Sequence, residues 1–214
     1  MDVRMLTVGP VQENCFIARR DADATAAIVV DPGDEAERLL EAVRELGVQV
    51  EAILLTHTHF DHVGAVAPVA RATGAAVFCP EIEREVLANI NDYVPWSGFG
   101  PFESYEADHL VCGGEKLELA GMELDVLFTP GHSPGHVTYS VPAEKVVFSG
   151  DVLFQQSIGR TDLPGGDHET LLRSIATLLE TLPDDTTVAP GHMGPTTLGR
   201  ERQTNPFLHE IASR

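Results

Sequence analysis

Short bursts of apolar residues, rich in β-branched side chains and separated by turn formers, open the chain. "VRMLTV", "NCFIA" and "AAIVVD" predict three strands, the third ending at Asp31. The period then lengthens: "DEAERLLEAVRELG" places Leu39, Leu40, Val43 and Leu46 at helical spacing. Asp34 suits the N-cap of that helix and Gly47 its stop. "EAILLT" returns to a strand, and "DHVGAVAPVARATG" reads as a helix weakened by Gly64 and Pro68. A strand "AAVFC" and a helix from Pro80 to about Asn89 follow.

Residues 91–106 mix Pro, Gly, Ser and aromatics and predict a surface loop, in which Tyr93, Trp96, Phe99 and Phe102 weigh toward packing anchors over pocket lining. Beyond it, "KLELA", "MELDVLFT", "HVTYSV" and "KVVFS" predict strands. A helix from about His168 to Leu182 carries Leu171, Leu172, Ile175, Leu178 and Leu179 on one stripe. "TTVAP" is a last strand, and "NPFLHEIA" suits a short helix. Helices interleave with strands and no linker divides them, so the expectation is one layered α/β domain over residues 1–214.

Composition narrows the function classes. The 214 residues are 43% hydrophobic and 22% charged, with a formal net charge of -19, and no apolar run approaches a membrane span. The acidity argues against nucleic-acid or membrane-surface partners, because no cluster of Lys and Arg offsets it. Cys15, Cys79 and Cys112 form no CxxC pair, so they read as inert thiols rather than a disulfide framework. The start "MDVRMLTVGP" lacks the basic and apolar regions of a signal peptide, which makes the cytoplasm the expected location.

The candidate chemistry lies at strand ends. "AILLT" runs into His57-Thr-His59-Phe-Asp61-His62, "DVLFTPG" into His132, "KVVFSG" into Asp151 and "TTVAPG" into His192. Strand ends on one rim of a sheet are close in space, so these side chains can converge. Five histidines and two aspartates exceed what one tetrahedral ion takes and suit two divalent ions sharing a carboxylate. Residues 57 and 59, if extended, face the same way and can reach one ion, leaving Asp61 and His62 for the other. Burying three imidazoles and a carboxylate together without a counter-ion would be costly. His109, His168 and His209 lie in polar contexts and read as surface groups; His136, in "GHSPGH", is open between packing and steadying a ligand.

With these motifs in order, THTHFDHVG, TPGHSPGH, FSGD and PGH, the chain resembles the metallo-β-lactamase fold superfamily, and within it the short single-domain branch of glyoxalase II-like (hydroxyacylglutathione hydrolase-like) hydrolases. The resemblance runs from "VQENCFIA" and "VVDPGD" to "PGHMGPTT" and implies an αββα sandwich, two central mixed sheets flanked by helices. By motif, His57, His59 and His132 would bind a first metal, Asp61, His62 and His192 a second, and Asp151 would bridge them. Asp31, at the family's VDPG position, looks like a carboxylate that orients a ligating imidazole. Arg160 and Asp162, in "SIGRTDLPGGD", either fix a substrate-side loop by a local ion pair or are plain surface.

The activity implied is hydrolysis of a small-molecule thioester such as S-lactoylglutathione by a metal-activated hydroxide. The metals are two divalent ions, zinc before iron or manganese, with Asp61 orienting the nucleophile as well as binding metal. The basic helical domain that full-length glyoxalase II uses for glutathione has no counterpart in the roughly 20 residues after His192, and Lys116 and Lys145 are the chain's only lysines. The alternative of another class is a persulfide dioxygenase, which would hold a single iron on His57, His132 and Asp151.

Overall fold

The computed structural model describes residues 1–94 and 96–208. Strands β1 (Asp2–Val8), β2 (Glu13–Arg19) and β3 (Ala26–Val30) form an antiparallel run. Parallel pairing then adds β4 (Gln49–Leu54), β5 (Ala76–Pro80) and β6 (His109–Val111), completing a six-stranded sheet in sequential order. The second sheet contains β7 (Lys116–Leu119), β8 (Met122–Phe128), β9 (Val137–Val141) and β10 (Val146–Gly150). A small hairpin, β11 (Leu153–Phe154) and β12 (Ser157–Ile158), stands apart. With β13 (Thr187–Pro190) and β14 (Thr196–Thr197), the second sheet runs β14-β13-β10-β9-β8-β7, antiparallel except between β10 and β13.

Strand alternation builds four layers. Ile17, Ala27, Val29, Ile53 and Leu55 face an outer core with Leu39, Val43, Val66 and Val69 from helices α1 (Ala36–Leu46) and α3 (Val66–Thr73). Their neighbours Phe16, Ala18, Ile28, Val30, Ala52 and Leu54 point the other way, onto Leu124, Val126, Val137, Tyr139 and Phe148 of the second sheet. The far face of that sheet buries Val147 and Val188 against Leu171, Ile175 and Leu178 of helix α5 (His168–Thr181). This is the expected αββα sandwich. Each fully buried aliphatic side chain in these layers contributes about 1.5–3 kcal/mol of transfer free energy.

Local departures from the sequence reading have physical causes. Asp34 does not cap α1; its Oδ1 accepts the N–H of Glu35 at 2.6 Å, and Glu35, with φ of 51°, takes the cap position without a side-chain bond. Gly47 does end the helix, its N–H bonding to Arg44 O at 3.1 Å. The helix expected over residues 61–74 is two: α2 (Phe60–Val63) breaks at Gly64, whose Cα lies so close to Gly33 O and the Phe102 ring that a side chain would clash. Pro68 falls in the first turn of α3, where its missing N–H costs nothing.

Residues 80–89 form a 3-10 turn (Glu81–Glu83) followed by α4 (Arg84–Ala88). β6, β14, the β11–β12 hairpin and α6 (Leu198–Thr204) were not expected. Of "NPFLHEIA", Pro206–Leu208 form a 3-10 turn; His209 and the residues after it lie outside the described residues.

Candidate metal centre

The predicted ligands follow the ends of β4, β8, β10 and β13, with Asp61 and His62 on α2, the short helix that continues from the β4 end. Beyond β4, His59 lies on extended backbone with φ of -61° and ψ of 144°, and its ring centroid is 4.7 Å from that of His57. Residues after β8, β10 and β13 bring in His132, Asp151 and His192. The ligand atoms of His57, His59 and His132 lie within 4.8 Å of one another, and so do those of Asp61, His62 and His192. Asp151 stands between the groups. Its Oδ1 is 3.4 Å from His62 Nε2, and its Oδ2 is 3.5 Å from His132 Nε2 and 3.6 Å from His192 Nε2.

Hydrogen bonds behind the imidazoles decide which nitrogen faces the centre. Main-chain carbonyls only accept, so His132 Nδ1 donates to Arg160 O at 2.7 Å and His192 Nδ1 to Gln12 O at 3.2 Å. With Nδ1 committed outward, Nε2 is the nitrogen that each ring turns toward the centre. Asp31 serves two more: its Oδ2 accepts from His62 Nδ1 at 3.1 Å and from the Thr56 hydroxyl at 2.6 Å. With that proton committed, Thr56 Oγ accepts from His57 Nδ1 at 3.0 Å. Asp31 is also within 4.8 Å of the facing atoms of His57 and His62, but its oxygens are engaged by these donors and by Thr56 N at 2.7 Å, so it orients rather than ligates.

His136 takes a definite place. Its Nε2 accepts the Asp151 N–H at 3.2 Å, which puts the ring proton on Nδ1, facing Thr129 Oγ at 3.0 Å. Stacked on His57 with centroids 5.0 Å apart, and held neutral by burial, it steadies a ligand ring and the Asp151 main chain.

The donors fit cations. His62 Nε2 and Asp151 Oδ1 are buried, have no hydrogen-bond partner among the described residues, and point at each other from 3.4 Å. Burial and then the neighbouring imidazoles push His57 well below its ordinary range, and burial with His132 brings His59 to about 4. Burial presses His62 down as well, but Asp151 and Asp61 outweigh it and hold it well above its usual value. His192 is raised in the same way by Asp61 and Asp151. Burial raises Asp151 and Asp61, and the facing imidazoles more than reverse it, so both carboxyls sit below their ordinary values.

Sequence reasoning missed two carboxyls. Buried Glu83 accepts from Thr58 N at 2.7 Å and Thr58 Oγ at 3.0 Å with one oxygen, and from Ser133 Oγ and Gly135 N with the other. It ties the loop carrying His57 and His59 to the loop carrying His132. Glu13 is buried 3.8 Å from His62 Nδ1, and desolvation raises its carboxyl well above the usual range. Arg160 pairs with Asp162 at 2.7 Å and lies over Trp96, 5.7 Å from its ring centroid. Trp96, Phe99 and Phe102 pack around Phe60 with centroids 4.9–5.8 Å away, while Tyr93 is exposed.

A family model of the metallo-beta-lactamase superfamily matches residues 8–192. The chain belongs to this superfamily. It is thereby a metal-binding hydrolase, and its His and Asp groups imply divalent ions. The chain is 42% identical to Probable metallo-hydrolase YqgX of Bacillus subtilis (strain 168), covering 98% of both proteins. It is 38% identical to Hydroxyacylglutathione hydrolase GloC of Haemophilus influenzae, covering 98% of this chain and 99% of GloC. Among solved structures, the BLEG-1 B3 metallo-beta-lactamase superposes with a TM-score of 0.90 at 42% identity, covering 97% of this chain and 99% of BLEG-1. A di-iron-bound form of TTHA1623 superposes at 0.84 with 41% identity, covering 96% of this chain and all of that one (100%). Among the described residues, no helix of this superfamily member is long and apolar enough to cross a membrane.

Proposed function

We propose that this protein hydrolyses small thioesters with two divalent ions, one on His57, His59 and His132, the other on Asp61, His62 and His192, with Asp151 shared. The observation that carries this reading is the second ligand group. It is complete, and His62 Nε2 in it and the Asp151 Oδ1 that faces it are buried polar atoms with no hydrogen-bond partner among the described residues, a pair that a cation held between them would satisfy. A single-iron dioxygenase would need only His57, His132 and Asp151, leaving Asp61, His62 and His192 converged without purpose. Zinc is the proposed metal; iron is the rival, since TTHA1623 carries two irons.

Ions held there would supply Lewis acidity, lowering the pKa of a bound water toward neutrality and polarising a substrate carbonyl. The chain's own residues do the rest. Asp61, with its carboxyl held in the charged form, offers an oxygen to accept a proton from the attacking water and to orient it. Asp31, Thr56, Arg160 O and Gln12 O lock the imidazoles in the tautomers that face inward. A thiolate leaving group, with a pKa of about 8–9, departs without a dedicated acid.

The resemblance to GloC points to an acyl-glutathione as substrate, and the name of BLEG-1 makes a β-lactam the control. Turnover of S-lactoylglutathione and other acyl thioesters, measured beside a chromogenic β-lactam, tests the reading. Thioester hydrolysis should exceed β-lactam hydrolysis by at least about tenfold, or 1.4 kcal/mol of transition-state preference. His59→Ala should abolish thioester turnover in a folded protein. Oxygen consumption with glutathione persulfide and no thioester hydrolysis would overturn the proposal.

A further inference from the structure

The loop that carries His192 is held from the other end of the chain. Asn14, at the start of β2, is buried, and its side-chain amide donates to Pro190 O at 3.1 Å and to Met193 O at 2.7 Å, spanning the turn on both sides of His192. Its main-chain N–H bonds to Gly191 O at 2.7 Å, and its Oδ1 accepts the Thr7 hydroxyl at 2.8 Å, which fixes the amide's orientation. Gln12 O takes His192 Nδ1, and Glu13 pairs with His192 in an isolated β-bridge.

The turn needs such a bracket. Met193 has φ of 67°, a left-handed conformation that costs a non-glycine residue free energy and persists only where the surroundings impose it. Gly191 lies so close to Asp151 Oδ1 and His62 Cε1 that no side chain fits there, so the loop is pressed onto the ligands rather than packed by its own residues. His192 is also partly open to solvent: its side chain is 22% exposed, against 0% for His62 and 2% for His132. Among the described residues, no comparable contact from the first hairpin reaches the His57, His59 and His132 group.

We infer that Asn14 is a positioning residue for the second ion: by bracketing the 190–193 turn it holds His192 within 3.3 Å of Asp61 and 3.6 Å of Asp151, so the β1–β2 hairpin sets whether the centre carries one ion or two. The inference rests on the dinuclear reading above. Asn14→Asp turns two donated hydrogen bonds into carboxylate-to-carbonyl repulsion at the same size. Thr7→Val, at an exposed position, removes only the hydroxyl that orients the amide.

Stepwise zinc binding to the full-length wild-type, Asn14→Asp and Thr7→Val proteins, measured by competition against a chromophoric chelator, is the test. The first step should stay within about twofold of wild type in both variants. The second should weaken about 10- to 100-fold in Asn14→Asp, the range for losing an outer partner of a ligand, and by less in Thr7→Val. A second step unchanged in Asn14→Asp, or both steps weakened equally, would overturn the inference. Should Asn14→Asp fail to fold, an unchanged second step in Thr7→Val does the same. Wild type that binds a single zinc removes the dinuclear reading itself, an outcome distinct from failure of the bracket.

Discussion

The first ligand group consists of imidazoles alone, His57 and His132 sealed from solvent and His57 and His59 kept neutral by burial and by one another. The second mixes Asp61 with His62 and His192, whose imidazoles are raised by the carboxylates they face, and it closes on a half-exposed loop. The first group presents lone pairs ready for a cation. In the second, protons neutralise the carboxylates until a metal displaces them. One centre thus joins a rigid, pre-formed half to a half that exchanges protons for metal, and Asp151 touches both.

Asp151→Ala should have the largest effect, because it removes a carboxylate that stands within 3.6 Å of ligand nitrogens in both groups. Both zinc-binding steps should weaken by more than the roughly 100-fold that loss of an outer partner costs, as read by elemental analysis after dialysis. If only one step weakens, the two groups are less joined than the distances imply.

Asp31→Asn removes the carboxylate that reaches His62 directly and His57 through Thr56, so both steps should fall, by about 10- to 100-fold. Thr56→Val interrupts only the path to His57 and should weaken the first step while sparing the second. Equal losses at both steps in Thr56→Val would blur the division between the halves.

The halves should also differ in pH dependence. His62 and His192 have raised pKa values, so near neutrality they bind protons that zinc must displace; the second step should weaken as pH falls below neutral, by up to about tenfold per pH unit for each proton displaced. His57 is held well below its ordinary range and His59 is brought down to about 4, so these two ligands bind no proton over that range and the first step should weaken less steeply than the second. Calorimetry in buffers of different ionisation enthalpy counts the protons released at each step.

Glu83→Gln should produce the smallest change, and in stability rather than stoichiometry. An amide accepts with only one of its two ends, so donors from either Thr58 or Ser133 and Gly135 go unpaired, a cost of about 1–3 kcal/mol. Thermal unfolding of the metal-free protein should shift down by several degrees while two zinc ions still bind.

Local pattern and backbone period made the ligands visible. HxHxDH lies within six residues, and each other ligand follows a glycine at the end of an apolar strand, so the layered α/β class and the cluster could be read without knowing which strands are neighbours, while the αββα arrangement followed from the family resemblance. The supporting residues had no such signal. Glu83 looks like the exposed start of a helix in "EIERE", and its contacts with Thr58 and Ser133, 25 and 50 residues away, are what reveal it. Asn14 sits in an ordinary strand start and acts on main-chain atoms 176 and 179 residues away. Asp34 misled for the converse reason: a favourable cap residue found a nearer N–H to bond.

The most direct test of the central claim is the metal content of protein purified without added metal or chelator, with each element measured against protein concentration. The account predicts about two ions per chain, falling to one when a mild chelator strips the His192 side first. One iron per chain, with Asp61→Ala and His192→Ala retaining it unchanged, would contradict it.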